Sequence, residues 1–201
     1  MTSRKLFGIA GLALLTGAAA GCASAPDGPL AVKADQPFVK AGHIEMQLDG
    51  GNYEIRAASD DHVRVSFGGN PGNATTDLSV NGGAQAAQAT LTVRNTPHNN
   101  FRAAIEVPKT SDLVLHLTGG NLEIAPISGN KDVDSKAGNV EIAVSDPNDY
   151  ASVDASVKVG NLDAGPFGES RGGLSPHFTW TGRGKYTLRA SLGAGNLELK
   201  R

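Results

Sequence analysis

Apolar and polar residues alternate with a period of two along most of the chain beyond residue 40. Val63, Val65 and Phe67 share one face of a short segment, and Leu91 and Val93 share one face of another. Leu113, Leu115 and Leu117 form a further row, as do Val140, Ile142 and Val144, and Val153, Ala155, Val157 and Val159. Tyr186, Leu188, Ala190 and Leu192 lead into Leu197 and Leu199 near the end. Alternation of this kind puts one set of side chains in a core and the other in solvent, as in a β-strand. Pro108 closes the strand that holds Ile105 and Val107, because proline cannot donate a ladder hydrogen bond. Long helical periodicity is absent after the first residues, so the chain reads as all-β.

A second pattern is laid over the first. The pentapeptide Gly-Asn-Leu-Glu-Ile and its near copies begin at Gly51-Asn52, Gly120-Asn121, Gly138-Asn139, Gly160-Asn161 and Gly195-Asn196. Each follows a strand and a glycine-rich bend, so the unit is strand, corner, strand. The corners lie 18 residues apart from Gly120 to Gly138 and 22 apart from Gly138 to Gly160. These lengths suit single coils of a β-solenoid of the β-helix or β-roll kind, with successive coils stacked in parallel. The 69-residue gap from Gly51 to Gly120 has room for about three degenerate coils at that repeat length. The 35-residue gap from Gly160 to Gly195 contains an insertion around residues 165–176 that leaves the coil path. Phe178, Trp180 and Tyr186 follow it and read as a cap over the open end.

Gly and Asn adopt positive φ more readily than other residues, so the pair serves as a corner. Stacking would set Asn121 beside Asn139, where side-chain amides can bond in a ladder. A ligand-binding row of asparagines is the less favoured reading. Glu54, Glu123, Glu141, Asp163 and Glu198 share one repeat position and are expected on a common outer face. Like charges at neighbouring positions cost stability unless a cation or a Lys or Arg intervenes.

The chain has 201 residues, 26 of them glycine, and only 5% aromatic, which fits one glycine-rich β-domain over residues 41–201. Its N-terminus has a different composition. Arg4 and Lys5 precede the apolar run Leu6–Leu15 and the small residues Ala18-Ala19-Ala20-Gly21, the layout of a secretory signal peptide over residues 1–21. Cys22 is the sole cysteine, so no disulfide can form within the chain. Ala19-Ala20-Gly21-Cys22 resembles the bacterial lipobox, with Ala where Leu is preferred, and so implies lipidation of Cys22. Residues 22–40, rich in Pro and Gly, read as a flexible tether. Ala23 follows the cysteine, and by the usual sorting pattern that implies the outer membrane in a cell with two. Removing residues 1–21 takes Arg4 and Lys5 from 18 basic residues and nothing from 20 acidic ones, which leaves net −4. That balance argues against nucleic acid as a partner.

The recurrent corners, with Ile105-Glu106-Val107-Pro108-Lys109 ahead of Leu113-Val114-Leu115 and Gly184-Lys185-Tyr186-Thr187-Leu188 near the end, resemble the bacterial DUF4097 "putative adhesin" family over about Gly42 to Arg201. The resemblance implies a β-solenoid-like domain displayed in the cell envelope. It brings no catalytic residues, and related domains accompany envelope-stress signalling.

Chemistry-bearing patterns are sparse. His43, His62, His98, His116 and His177 match no zinc spacing, and His116 alternates outward between Leu115 and Leu117. Asp132, Asp134, Asp146 and Asp149 lack calcium-loop spacing and read as solvated turn acids. No nucleophile elbow is present. The reading is a non-enzymatic envelope lipoprotein for adhesion, scaffolding or sensing, without cofactor or metal. Its partners are a membrane, through the lipid, and an envelope polysaccharide or protein. The alternative is a carbohydrate-binding or carbohydrate-active protein on a β-helix scaffold.

Overall fold

The structure, a computed structural model, describes residues 29–81 and 87–201. The expected signal peptide and Cys22 lie outside the described residues.

The described residues are all-β, with two short 3-10 turns at Pro147–Asp149 and Gly165–Phe167. Seven strands come from the first half of the chain: β1 (Ala31–Pro37), β2 (Gly42–Leu48), β3 (Gly51–Ala57), β4 (His62–Gly69), β5 (Thr75–Asn81), β6 (Gln88–Arg94) and β7 (Phe101–Val107). Seven follow: β8 (Ser111–Leu117), β9 (Gly120–Ile124), β10 (Lys131–Ala143), β11 (Tyr150–Ala164), β12 (Glu169–Leu174), β13 (His177–Thr181) and β14 (Tyr186–Lys200). β10, β11 and β14 each run through a Gly-Asn corner without a break, so each contributes to two faces.

On one face the order is β1-β4-β7-β3-β9-β10-β14-β11-β12, and on the other it is β5-β6-β2-β8-β10-β14-β11-β13. Between β7 and β11 on the first face, and between β6 and β11 on the second, every neighbouring pair is parallel, and the register holds throughout apart from one shift between Tyr150 and Ser152 of β11. Antiparallel strands close both ends: β4 on β7, β5 on β6, and β12 and β13 on β11.

Parallel register turns the alternation into columns. Met46, Leu115, Val133, Ala190 and Ala155 lie side by side, all buried. Tyr53, Leu122, Val140, Leu197 and Leu162 form the facing column. Each fully buried aliphatic side chain stabilises the fold by about 1.5–3 kcal/mol.

At the corners the backbones come together. Gly120, Gly138, Gly160 and Gly195 all have positive φ. A Cβ at Gly138 would sit 1.7 Å from the carbonyl oxygen of Gly120. The corner asparagines are not among the positive-φ residues. Glycine makes the turn, and asparagine contributes its side chain instead.

Chain order and stacking order differ. The corner at Gly195 pairs with both Gly138 and Gly160, so β14 lies between the levels expected to be adjacent. The gap before Gly120 adds one parallel level, β6 with β7, and its other two strands are antiparallel. Alternation records burial and carries no strand direction, which is why those strands resembled coils. The insertion at residues 165–176 stays on the stack, as β12 runs along β11. Phe178 and Trp180 do cluster at the end, with Phe167 as their partner at 5.7 and 5.0 Å. Tyr186 is elsewhere, against Tyr150 at 6.5 Å. The expected tether is shorter, because Ala31–Pro37 pairs with β4 and Phe38 is buried.

Two substitutions test the corner. Gly138→Ala should lower stability by at least about 3 kcal/mol in urea unfolding, since backbone must move. Gly168→Ala, at φ 82 with nothing within 4 Å of a new Cβ, should cost only about 1 kcal/mol. Equal costs would mean that the column is not close-packed.

Ser135 is a second test. It is buried between Leu117 and Leu192, and its hydroxyl has no hydrogen-bond partner. Ser135→Ala is expected to raise stability by about 1 kcal/mol in the same assay, because an unsatisfied buried hydroxyl is removed. A loss of stability would show that the hydroxyl is paired after all.

Candidate binding groove

The outward side of the first face displays two parallel rows. Asn52, Asn121, Asn139, Asn196 and Asn161 occupy one register line, all exposed. Their amides form a continuous ladder with a single direction. Asn161 Nδ2 donates to Asn196 Oδ1 at 2.9 Å, Asn196 to Asn139 at 2.8 Å, Asn139 to Asn121 at 2.9 Å and Asn121 to Asn52 at 2.8 Å. Asn52 ends the run by donating to the Phe101 carbonyl at 3.2 Å.

Two residues along each strand lies the acidic row. Glu54, Glu123, Glu141, Glu198 and Asp163 are register neighbours on the common outer face. Basic residues intervene, as like charges at this spacing require. Arg56 donates to both oxygens of Glu54, at 2.5 and 2.6 Å. Lys200 donates to Glu123 at 3.1 Å and also to Glu141. These two hydrogen bonds, Glu141's first, hold the Lys200 amine above its ordinary pKa. Glu198 makes no ion pair among the described residues.

These rows line a groove of about 730 Å³. It runs from Asn196 and Glu198 past the ladder to Arg102, over a floor of Ala103 and Ala104, with Leu30 at its rim. The floor is low because Ala104 stands beside Glu54 on one side and Ser66 on the other, where the next levels carry acids. Hydrogen bonding and charge are what this groove offers.

The other candidate residues are scattered. Asp132 and Asp134 lie on β10, whereas Asp146 caps the turn at Pro147–Asp149 by accepting from the Asn148 amide at 2.9 Å. His116 is exposed. His62 pairs with Asp35 at 2.7 Å and His177 with Asp154 at 2.9 Å, both at the surface. Among the described residues no three His, Cys, Asp or Glu side chains gather where a metal ion could be held.

Sequence reasoning missed Leu30, Arg102 and Lys131. Lys131 is in phase with Val133, and this signal marks it as inward. It is 2% exposed and stands in register between Leu113 and Leu188. Its amine donates to the Ile127 carbonyl at 2.5 Å and lies 3.4 Å from the Gly129 carbonyl and the Tyr150 hydroxyl. Burial pushes its pKa down to about 8, with Asp112 opposing.

No protein-family model matches the chain, and no curated protein matches its sequence. Solved structures do. A "putative cell adhesion protein" from Clostridium sporogenes is 14% identical, with a TM-score of 0.52 over 86% of this chain and 99% of that one. The two share a fold. A "putative adhesin" from Parabacteroides distasonis is also 14% identical, with a TM-score of 0.26 over 58% of this chain and 57% of that one.

Lys131 yields a pH prediction. Between pH 8 and pH 10.5 the unfolded chain keeps the proton that the folded chain has released. Stability therefore rises with pH through that window, by up to about 3 kcal/mol relative to Lys131→Met. Urea titrations of both proteins at pH 7 and pH 10 would measure it. Parallel pH profiles would show that the amine is not desolvated.

Proposed function

We propose that this chain is a non-enzymatic envelope lipoprotein that uses its ladder face for adhesion, scaffolding or sensing. In this reading its parallel levels are a short β-solenoid core closed by antiparallel ends. The observation that carries it is the continuous exposed amide ladder with its acidic row. Five levels of the fold each present an asparagine and an acid outward, and a surface repeated that regularly suits recognition of an extended partner. The fold shared with a structure described as a "putative cell adhesion protein" supports the adhesion reading.

The short tether narrows the choice. Leu30 lines the groove and follows Cys22 by eight residues. Eight extended residues reach at most about 28 Å. A groove held that close to a lipid anchor favours partners within the cell's own envelope over contact with a distant surface.

Fractionation of cells that make the full chain tests the proposal. The native protein should sediment with membranes, and Cys22→Ser should be released into the soluble envelope fraction. Retention of Cys22→Ser on membranes would remove the lipid anchor from the reading. Cleavage of any envelope polysaccharide by the purified protein would overturn the non-enzymatic part.

A further inference from the structure

We infer that the groove binds a linear, hydroxyl-rich polysaccharide, neutral or amino-bearing, lying along the stack and across the strands. The inference rests on the ladder face being the recognition surface.

Spacing comes first. The asparagines and glutamates repeat from strand to strand, about 4.8 Å apart. A ligand that uses several rungs must present equivalent groups at that interval along a line. An extended polypeptide advances only about 3.3 Å per residue and falls out of step. A linear chain of pyranose rings advances by about one ring per rung, so each ring meets one amide and one acid; in a β-1,4 chain successive rings are flipped, and each presents hydroxyls on both edges that suit the donor and acceptor of an amide.

Chemistry comes second. A primary amide has two N–H donors and two acceptor lone pairs. Each asparagine inside the ladder spends one donor and one acceptor on its neighbours and keeps one of each. Sugar hydroxyls donate and accept, so they match both the amides and the carboxylates beside them. The ladder bonds also fix the amide rotamers before binding, which lowers the ordering cost of association. Leu30, 38% exposed at the rim, supplies a small apolar contact for the C–H face of a ring.

Charge decides the class of polymer. Arg56 and Lys200 hold Glu54, Glu123 and Glu141, while Glu198 has no ion pair among the described residues. Arg56 and Arg102 lie toward one end of the groove, and at the other end Glu198 disfavours phosphate and uronate polymers and admits neutral or amino sugars.

Titration calorimetry on the full chain in detergent, with soluble oligosaccharides of two, four and six residues, tests this. The probes are β-1,4-linked glucose, N-acetylglucosamine and glucosamine, with oligogalacturonate and tetralysine as comparators. Affinity for at least one of the first three should rise about tenfold from two residues to four, since each added ring gains a hydrogen bond or two. It should then level off, because four rungs line the groove. Glucosamine alone would identify an amino polymer, and glucose or N-acetylglucosamine a neutral one. Glu198→Gln, at an exposed position, should weaken glucosamine binding severalfold and leave the unfolding midpoint unchanged. No length dependence, or tighter binding of tetralysine or oligogalacturonate, would overturn the inference. Membrane fractionation does not depend on this result, so the two can fail separately.

Discussion

The corner column is the constraint on which the rest of the molecule depends. Where the chain turns between faces, successive levels come so close that a Cβ at Gly120, Gly138, Gly160 or Gly195 would lie within about 2 Å of a neighbouring carbonyl oxygen. Only glycine fits, and its positive φ supplies the bend. The close approach also sets the register. With the glycines aligned, each following asparagine meets an asparagine, each apolar residue an apolar one, and each acid an acid. Core columns, ladder and acidic row are thus three consequences of one alignment. A one-residue slip would turn every buried side chain outward.

Two residues of β10 break the columns. Lys131 and Ser135 take positions that Leu113 and Leu117 take on one side, and Leu188 and Leu192 on the other. Their costs differ in kind. The Ser135 hydroxyl is left without a partner, whereas the Lys131 amine finds backbone carbonyls of Ile127 and Gly129. Residues 125–130 connect β9 to β10, and the amine ties two of their carbonyls to the core. Desolvation offsets part of that gain, because a buried ammonium is disfavoured.

Much of this was legible in the chain. Gly-Asn-Leu-Glu-Ile recurs because each level solves the same local problem, and the solution is written in five consecutive residues. The asparagine ladder and the common outer face of Glu123 and Glu141 follow from that alone. Strand order does not. Any permutation of levels preserves glycine over glycine and asparagine over asparagine, so nothing local places Gly195 between Gly138 and Gly160. Direction is equally hidden. Val63, Val65 and Phe67 alternate as Leu113, Leu115 and Leu117 do, although β4 is antiparallel to its neighbour and β8 is parallel to both of its own. The groove needed the third dimension, because Ala104 and Leu30 matter only through what stands beside them.

In the proposed reading, repetition makes structural and recognition roles converge on the same side chains. An asparagine that only turned a corner could be replaced by glycine, and one that only bound a ligand could stand anywhere on the surface. Here each interior amide bonds a level above and a level below, and stays exposed while doing so. The bonds that order the stack are the bonds that orient the remaining donor and acceptor outward. Adding a level to such a fold adds one rung to its surface at the same spacing. In the proposed reading, the length of partner held would then be set by the number of rungs that line the groove.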